Sequence, residues 1–396
     1  MHRLRPDALA GLKIVDFTIV MSGPMCTRML ADAGADVIKI EPPDGDVVRQ
    51  RPPHRGGIST YYASMNCGKR SVVLDLQTPQ GRELARELAA QADVVVENFR
   101  PGVMKRLGLD YESLSAENPR LVYASISGFG QSGPRAQTPA YAPVIHAASG
   151  YEAAYSEYQK GGTRPANNGI FIADVLGAGN AFSAIMLALY ERERSGKGQL
   201  IDVSLMDCVL GMLIYEMQAA QFPPDSPRQV YEPVRSRDGY VMVAAVTQKN
   251  LDVLFDVIGY PQGKTDPRFA TVATKEANWS ALLELIERWT LERSGAECEA
   301  ILMQAGVPCS RYRTVAEAMA DPQVATRGTM ARLGEGEASF LVANAPYQLS
   351  ATPTSARPRL AALGEHGREV LDEMLGLSPQ RFEELRAQGV FGKATP

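Results

Sequence analysis

The 396-residue chain has only five cysteines, Cys26, Cys67, Cys208, Cys298 and Cys309. They form no CxxC and no Cys/His cluster with metal-ligand spacing, which excludes a zinc ribbon or a disulfide framework and fits small buried fillers in a reducing compartment. A positive excess is lacking too. The net charge of -4 and a pI near 5.8 leave no basic surface for tracking a phosphate backbone, so nucleic acid is excluded as the main partner and phosphate recognition must be local. The amino-terminal MHRLRPDALAGLK has no apolar core, and no apolar run approaches the roughly 20 residues of a membrane span. The expectation is a soluble, cytoplasmic protein with no membrane partner. Internal repeats and low-complexity tracts are missing. What remains, 45% hydrophobic and 22% charged, is an ordinary globular composition with length for two domains.

From Gly11 the chain alternates strand and helix patterns, which predicts an α/β fold with a parallel sheet covered on both faces. LKIVDF, ADVIKIE, DVVVENF, LVYASISGFG and QLIDVSL read as strands. Helical spacing runs from Gly23-Pro24 through Ala33, from Gln80 to Gln91, and from Ala178 to Arg194, where Ser195-Gly196-Lys197-Gly198 stops it. FPPDSPRQVYEPV reads as a linker into a second unit ending about Gly328, with strand DGYVMVAAV and a helix from Trp279 to Trp289. RPRLAALGEH reads as extended, and SPQRFEELRAQGV as a last helix capped by Ser378.

A strand, a glycine turn, a helix, a second strand and then Glu41 is also how a dinucleotide-binding unit reads. The turn argues against NAD. It is MSGP rather than GxGxxG, so the glycines that admit a pyrophosphate are missing and Pro24 removes a donor.

Seven blocks in one order, DFTIVMSGPMCTRMLADAGADVIKIEPPDGD, NCGKRSVVLDL, VENFRPGVMKRLGL, SISGFGQSGP, IADVLGAGNAFSAIMLAL, SGKGQLIDVSLMD and LGEHGREVL, resemble the family III CoA-transferases, the CaiB/BaiF family. The resemblance implies a Rossmann-like large domain built from both chain ends: 1–222, completed by a return segment 331–396. A linker and smaller α/β domain over 223–330 would close each subunit into a ring. Two rings would interlock as a homodimer. The implied activity moves coenzyme A from an acyl-CoA to a carboxylic acid, with coenzyme A as substrate and product and no separate cofactor or metal.

The resemblance places the family's nucleophile at Asp174. A plain alternative is an N-cap that satisfies a free helix amide for about 1 kcal/mol. A carboxylate suits the chemistry, because with a reference pKa of about 3.9 it is already ionised at neutral pH and needs no base, unlike a serine hydroxyl. The anhydrides and thioesters it forms would hydrolyse in an open site, so a narrow, dry one is expected. Gly177, Ala178 and Gly179 fit that need, or they serve close helix packing.

For coenzyme A the resemblance points to Met21, Ser22, Leu74 and Gln77, to Asn98 and Phe99 at the adenine, and to Arg106 at the phosphates. Lys69 is a further phosphate candidate, or a surface lysine. Pro42 stands where some members carry an arginine, so one phosphate contact is either lost or moved to Arg49 or Arg51. The stretch PPDSPRQVYEPV lacks the glycine run of oxalate-handling members, which argues against an oxalate or formyl substrate. Arg49, Arg51, Arg55 and Arg164 are candidates for the far carboxylate of a dicarboxylic substrate. The family's α-methylacyl-CoA racemases are the rival reading, but Tyr141 occupies their histidine position and is taken as a substrate-binding candidate instead. His146, five residues on, either substitutes for it or is a packed core histidine.

Overall fold

The computed structural model describes residues 7–159, 164–225 and 228–392. The chain forms two units, Met1–Gln221 with Thr326–Pro396, and Phe222–Ala325.

The larger unit is built on six parallel strands: β1 (Lys13–Asp16), β2 (Asp36–Glu41), β3 (Arg70–Val73), β4 (Val94–Glu97), β5 (Val122–Ser127) and β6 (Leu200–Ser204). Their spatial order is β3-β2-β1-β4-β5-β6. This is the doubly wound order of two mononucleotide-binding halves, with its crevice where the order reverses, between β1 and β4. The continuous apolar run VVVE of β4 follows from burial on both faces. Val94 and Val96 join the core on one face, with Ile14, Leu30, Ala178 and Ile185. Val95 points to the other, with Val15, Leu84 and Leu88.

The first face carries α1 (Ser22–Asp32), α6 (Ile172–Ser195) and α7 (Leu205–Met212); the second carries α2 (Pro79–Ala90). Between β4 and β5 lies α3 (Val103–Leu107); α4 (Ala142–Ala148) and α5 (Tyr151–Glu157) lie between β5 and α6. The α6 helix starts at Ile172, six residues before its small-residue pattern becomes continuous, because the first turn is held by tertiary contacts. Its apolar 18-residue window has a mean hydropathy of 1.6. By length and composition it could cross a membrane, yet Ala173, Ala178, Ala181, Ile185 and Ala188 are packed against the sheet face.

In the smaller unit, β7 (Val234–Ser236), β8 (Gly239–Val243) and β9 (Cys309–Arg311) form an antiparallel sheet with β8 central. It packs with α8 (Gln248–Val257), α9 (Trp279–Leu291) and α10 (Gly295–Gln304) through Leu254, Phe255, Ile286 and Leu302. Part of the expected linker, positions 226–227, lies outside the described residues.

The chain then returns to the larger unit with a hairpin, β10 (Met330–Leu333) and β11 (Phe340–Ala343). RPRLAALGEH is an irregular segment rather than a strand. It nonetheless docks: Gly68 N donates to Arg359 O and His366 N to Ser71 O, each within 3.0 Å. Beyond it α11 (Gly367–Leu375) buries Val370, Leu371 and Met374 against α2, and α12 (Pro379–Ala387) adds Leu385. Ser378 caps α12 by accepting the Arg381 amide.

Candidate active site

A cavity of about 330 Å³ opens at the carboxyl ends of β1, β4 and β5, at the reversal point of the sheet. Its wall includes Ile19, Val20, Met21, Ser22, Asn98, Phe99, Ser127, Tyr141 and Asp174. A second cavity of about 520 Å³ sits over the ends of β1, β2 and β3, lined by Glu41, Asp46, Leu74, Gln77 and Leu107. Ile19, Phe99 and Val103 belong to both walls.

Asp174 is the third residue of α6, not its N-cap; that position is Phe171, which offers no side-chain acceptor. Asp174 lines the cavity, and its carboxyl accepts from the Ser22 hydroxyl across the wall. Burial pushes it up to about 6, opposed by a hydrogen bond from the Ser22 hydroxyl. Gly177, one turn on, is forced by packing: a Cβ there would lie 2.2 Å from the Leu205 side chain.

The loop after β1 that carries Met21 and Ser22 is fixed by Asn98 on one side and Asp46 on another. Asn98 clamps it, its Oδ1 accepting Ile19 N at 2.9 Å and its Nδ2 donating to Ile19 O at 2.8 Å. Val20 sits at φ 67°, a conformation that costs a β-branched residue about 1–3 kcal/mol and persists only where surroundings impose it. Its amide lies 3.5 Å from Asp46 Oδ1, and Asp46 is held by the buried Lys39 at 3.3 Å. The MSGP glycine has a packing role, since a Cβ on Gly23 would lie 2.4 Å from Thr18 Cβ.

Lys69 corrects the sequence reading on both counts, because it is neither at the surface nor free for phosphate. Its ammonium is buried, 3.0 Å from Asp16 Oδ2, and donates to Pro24 O and Asn66 Oδ1. Burial pushes it down to about 8 against the pull of Asp16. Asp16 in turn accepts from Thr18 and Thr27, so the pair anchors β1 to α1. Arg49 is likewise committed, to Glu41 at 2.6 and 2.8 Å and over the Tyr62 ring.

Arg106 is exposed on α3 with its guanidinium 3.5 Å from Gly102 O, outside both cavity walls. Leu74 and Gln77 line the second cavity with Phe99, and Asn98 lines only the first. Tyr141, at the N-cap of α4, is 69% exposed, while His146 within α4 is 3% exposed.

Wall residues such as Ile19, Val20, Arg100, Val103 and Ser127 escaped the sequence reading, as did Tyr61, which touches Met21. Arg100 carried a signal, standing directly after Asn98-Phe99. Val20 and Tyr61 carried none. The Tyr61 hydroxyl lies 3.4 Å from Met21 Sδ; burial raises its pKa and the charge of Asp174 adds to that, whereas Arg51 opposes it.

The doubly wound sheet, the carboxylate at the start of a small-residue helix and the family pattern agree, and the sequence model "CoA-transferase family III" matches residues 9–367. The chain belongs to the family III CoA-transferases. Among relatives, the acetyl-CoA:oxalate CoA-transferase of Acetobacter aceti is 38% identical, covering 82% of this chain and 85% of that one. The succinyl-CoA–D-citramalate CoA-transferase of Chloroflexus aurantiacus is 32% identical over 97% and 98%. A CaiB/BaiF family protein from Brucella suis has a solved structure that superposes with a TM-score of 0.81 at 35% identity, over 93% of this chain and 100% of that one. As a family III CoA-transferase, the protein has relatives that match it across both units, including the return segment.

Proposed function

We propose that this family III CoA-transferase passes coenzyme A from an acyl-CoA to a free carboxylic acid through covalent intermediates on Asp174. The observation that carries the reading is the Asp174 carboxyl beside Ser22, in the wall of the cavity at the strand ends. Asp174 attacks the thioester carbonyl, forming a mixed anhydride and releasing CoA thiolate. The thiolate attacks the aspartyl carbonyl, giving an aspartyl-CoA thioester and freeing the donor acid. The acceptor carboxylate then reverses both steps with its own acyl group. No proton is gained or lost, so no general base is required.

Coenzyme A would lie across both cavities, bending at Ile19, Phe99 and Val103, with Leu74 and Gln77 along the nucleotide end. Met21 and Ser22 would meet the thioester end. Asn98 would act by holding the Met21–Ser22 loop, and Phe99 by presenting a ring to both cavities. Arg100, in the wall of the first cavity, and the exposed Arg106 would take the phosphates, whereas Lys69 and Arg49 are committed to carboxylates. No separate cofactor is part of this reading, and among the described residues no cluster of three His, Cys, Asp or Glu could hold a metal.

A dicarboxylic donor or acceptor would have its far carboxylate met by Arg51, an exposed arginine whose charge acts on Tyr61 beside Met21. Two relatives named for oxalate and for succinyl-CoA and citramalate support that class. A cytoplasmic, interlocked homodimer belongs to the same reading. It is supported by the exposed apolar face of α6, where Leu187 and Tyr190 are 70% and 68% exposed. The racemase reading loses its base, because Tyr141 replaces the histidine and His146 is buried and already hydrogen-bonded.

Incubation with succinyl-CoA followed by hydroxylamine, with peptide mass analysis, tests the nucleophile. A hydroxamate on Asp174 that disappears in Asp174→Ala is expected. Labelling elsewhere, or undiminished turnover by the variant, would falsify the assignment.

A further inference from the structure

The first turn of a helix leaves backbone amides without intrahelical partners, and a Ser, Thr, Asp or Asn at the N-cap ordinarily accepts one of them. The N-cap of α6 is Phe171, which has no acceptor. A different element supplies it. The Ala173 amide donates to Nε2 of His146 at 3.1 Å, and His146 stands in α4, 27 positions earlier.

That bond fixes the state of the ring. An imidazole nitrogen accepts only when unprotonated, so His146 is neutral with its proton on Nδ1. Nδ1 faces Glu152 Oε1 at 3.8 Å, and the ring packs edge-on against Tyr151 at 5.4 Å between centroids. Burial lowers the pKa of His146, with Glu152 opposing, which favours the same neutral form. The ring is held on one side by α5 and on the other by the turn it caps. Substrate cannot reach it, since only 3% of the residue is exposed. Its contact is with the amide immediately before Asp174.

We propose that His146 is a positioning residue that caps α6 in trans through the Ala173 amide and thereby sets the aim of the Asp174 carboxylate. The proposal rests on Asp174 being the nucleophile. A neutral acceptor is also better suited here than an Asp or Glu cap, whose charge beside Asp174 would further disfavour its ionised form.

The test compares His146→Leu, which lacks an acceptor, with His146→Gln, whose Oε1 can reach the same amide. A displacement near 1 Å at a reacting group costs up to about a hundredfold, so the Leu variant should form the Asp174 adduct roughly ten- to a hundredfold more slowly. Its KM for succinyl-CoA should be nearly unchanged, and Gln should recover most of the rate. Nitrogen-15 spectra of the histidine-labelled native enzyme give a readout that survives poor folding of a variant: the Nδ1–H tautomer is expected for His146. Native adduct rates in the Leu variant, equal impairment in Leu and Gln, or an Nε2–H tautomer would overturn the proposal. An absent Asp174 adduct in the native enzyme would instead remove the nucleophile assignment on which it rests.

Discussion

Asp174 has a carboxyl that burial raises to about 6 while Ser22 pulls it down. A nucleophile must be ionised, so the sign is fixed: turnover rises with pH through about 6 and is lost below it, by roughly tenfold per unit. Removing the Ser22 hydroxyl takes away the group that favours the ionised form. In Ser22→Ala the acid limb of kcat/KM against pH should therefore move to higher pH. A limb that stayed in place or moved down would show that Ser22 does not act on Asp174. At the same scale, Asn98 was legible only as a motif member. Its bonds to both backbone groups of Ile19, 79 positions away, are a matter of tertiary placement.

Strands and helices read well wherever the local pattern is enforced by burial on known faces. The β4 run VVVE, the helix over Gln80–Gln91 and the Ser378 cap emerge nearly as the residues suggest, because their periodicity and caps are local. The junction of β1 with α1 is different, since it depends on an ion pair between positions 53 apart. Lys69→Met would remove the cation that Asp16 contacts and leave the buried carboxylate with only the field of Lys39. Breaking one partner of such a pair typically costs about 3–5 kcal/mol, and a urea titration should show that loss with the slope unchanged. A cost below about 1 kcal/mol would place the pair in the surface class instead. The start of α6 also depends on a distant residue, His146, so a pattern confined to Ala178–Arg194 shows only its interior.

Across the whole molecule, the larger unit is closed by chain ends that are far apart in sequence. Asp75 N donates to Val390 O, and Arg70 pairs with Glu373 at 2.7 Å. The exposed apolar side of α6 is where a second copy would sit. The native protein should sediment at twice the chain mass of 42.9 kDa. Leu187→Glu combined with Tyr190→Glu should shift it toward the monomer, because charge in an apolar interface is costly to desolvate. A monomeric native protein, or a variant that stays dimeric, would remove this face from the interface.

The sequence by itself determined the alternation of strands and helices, the absence of a pyrophosphate-binding glycine loop, and the position of Asp174 within the ordered blocks that resemble the family. Those features are carried by neighbouring residues and by their order along the chain. Only the tertiary structure decided that Lys69 and Arg49 are committed to buried carboxylates, that Val20 is held at a positive φ, and that His146 accepts an amide of α6. Each of these depends on which groups lose water together, and folding brings those groups from segments that share no local pattern.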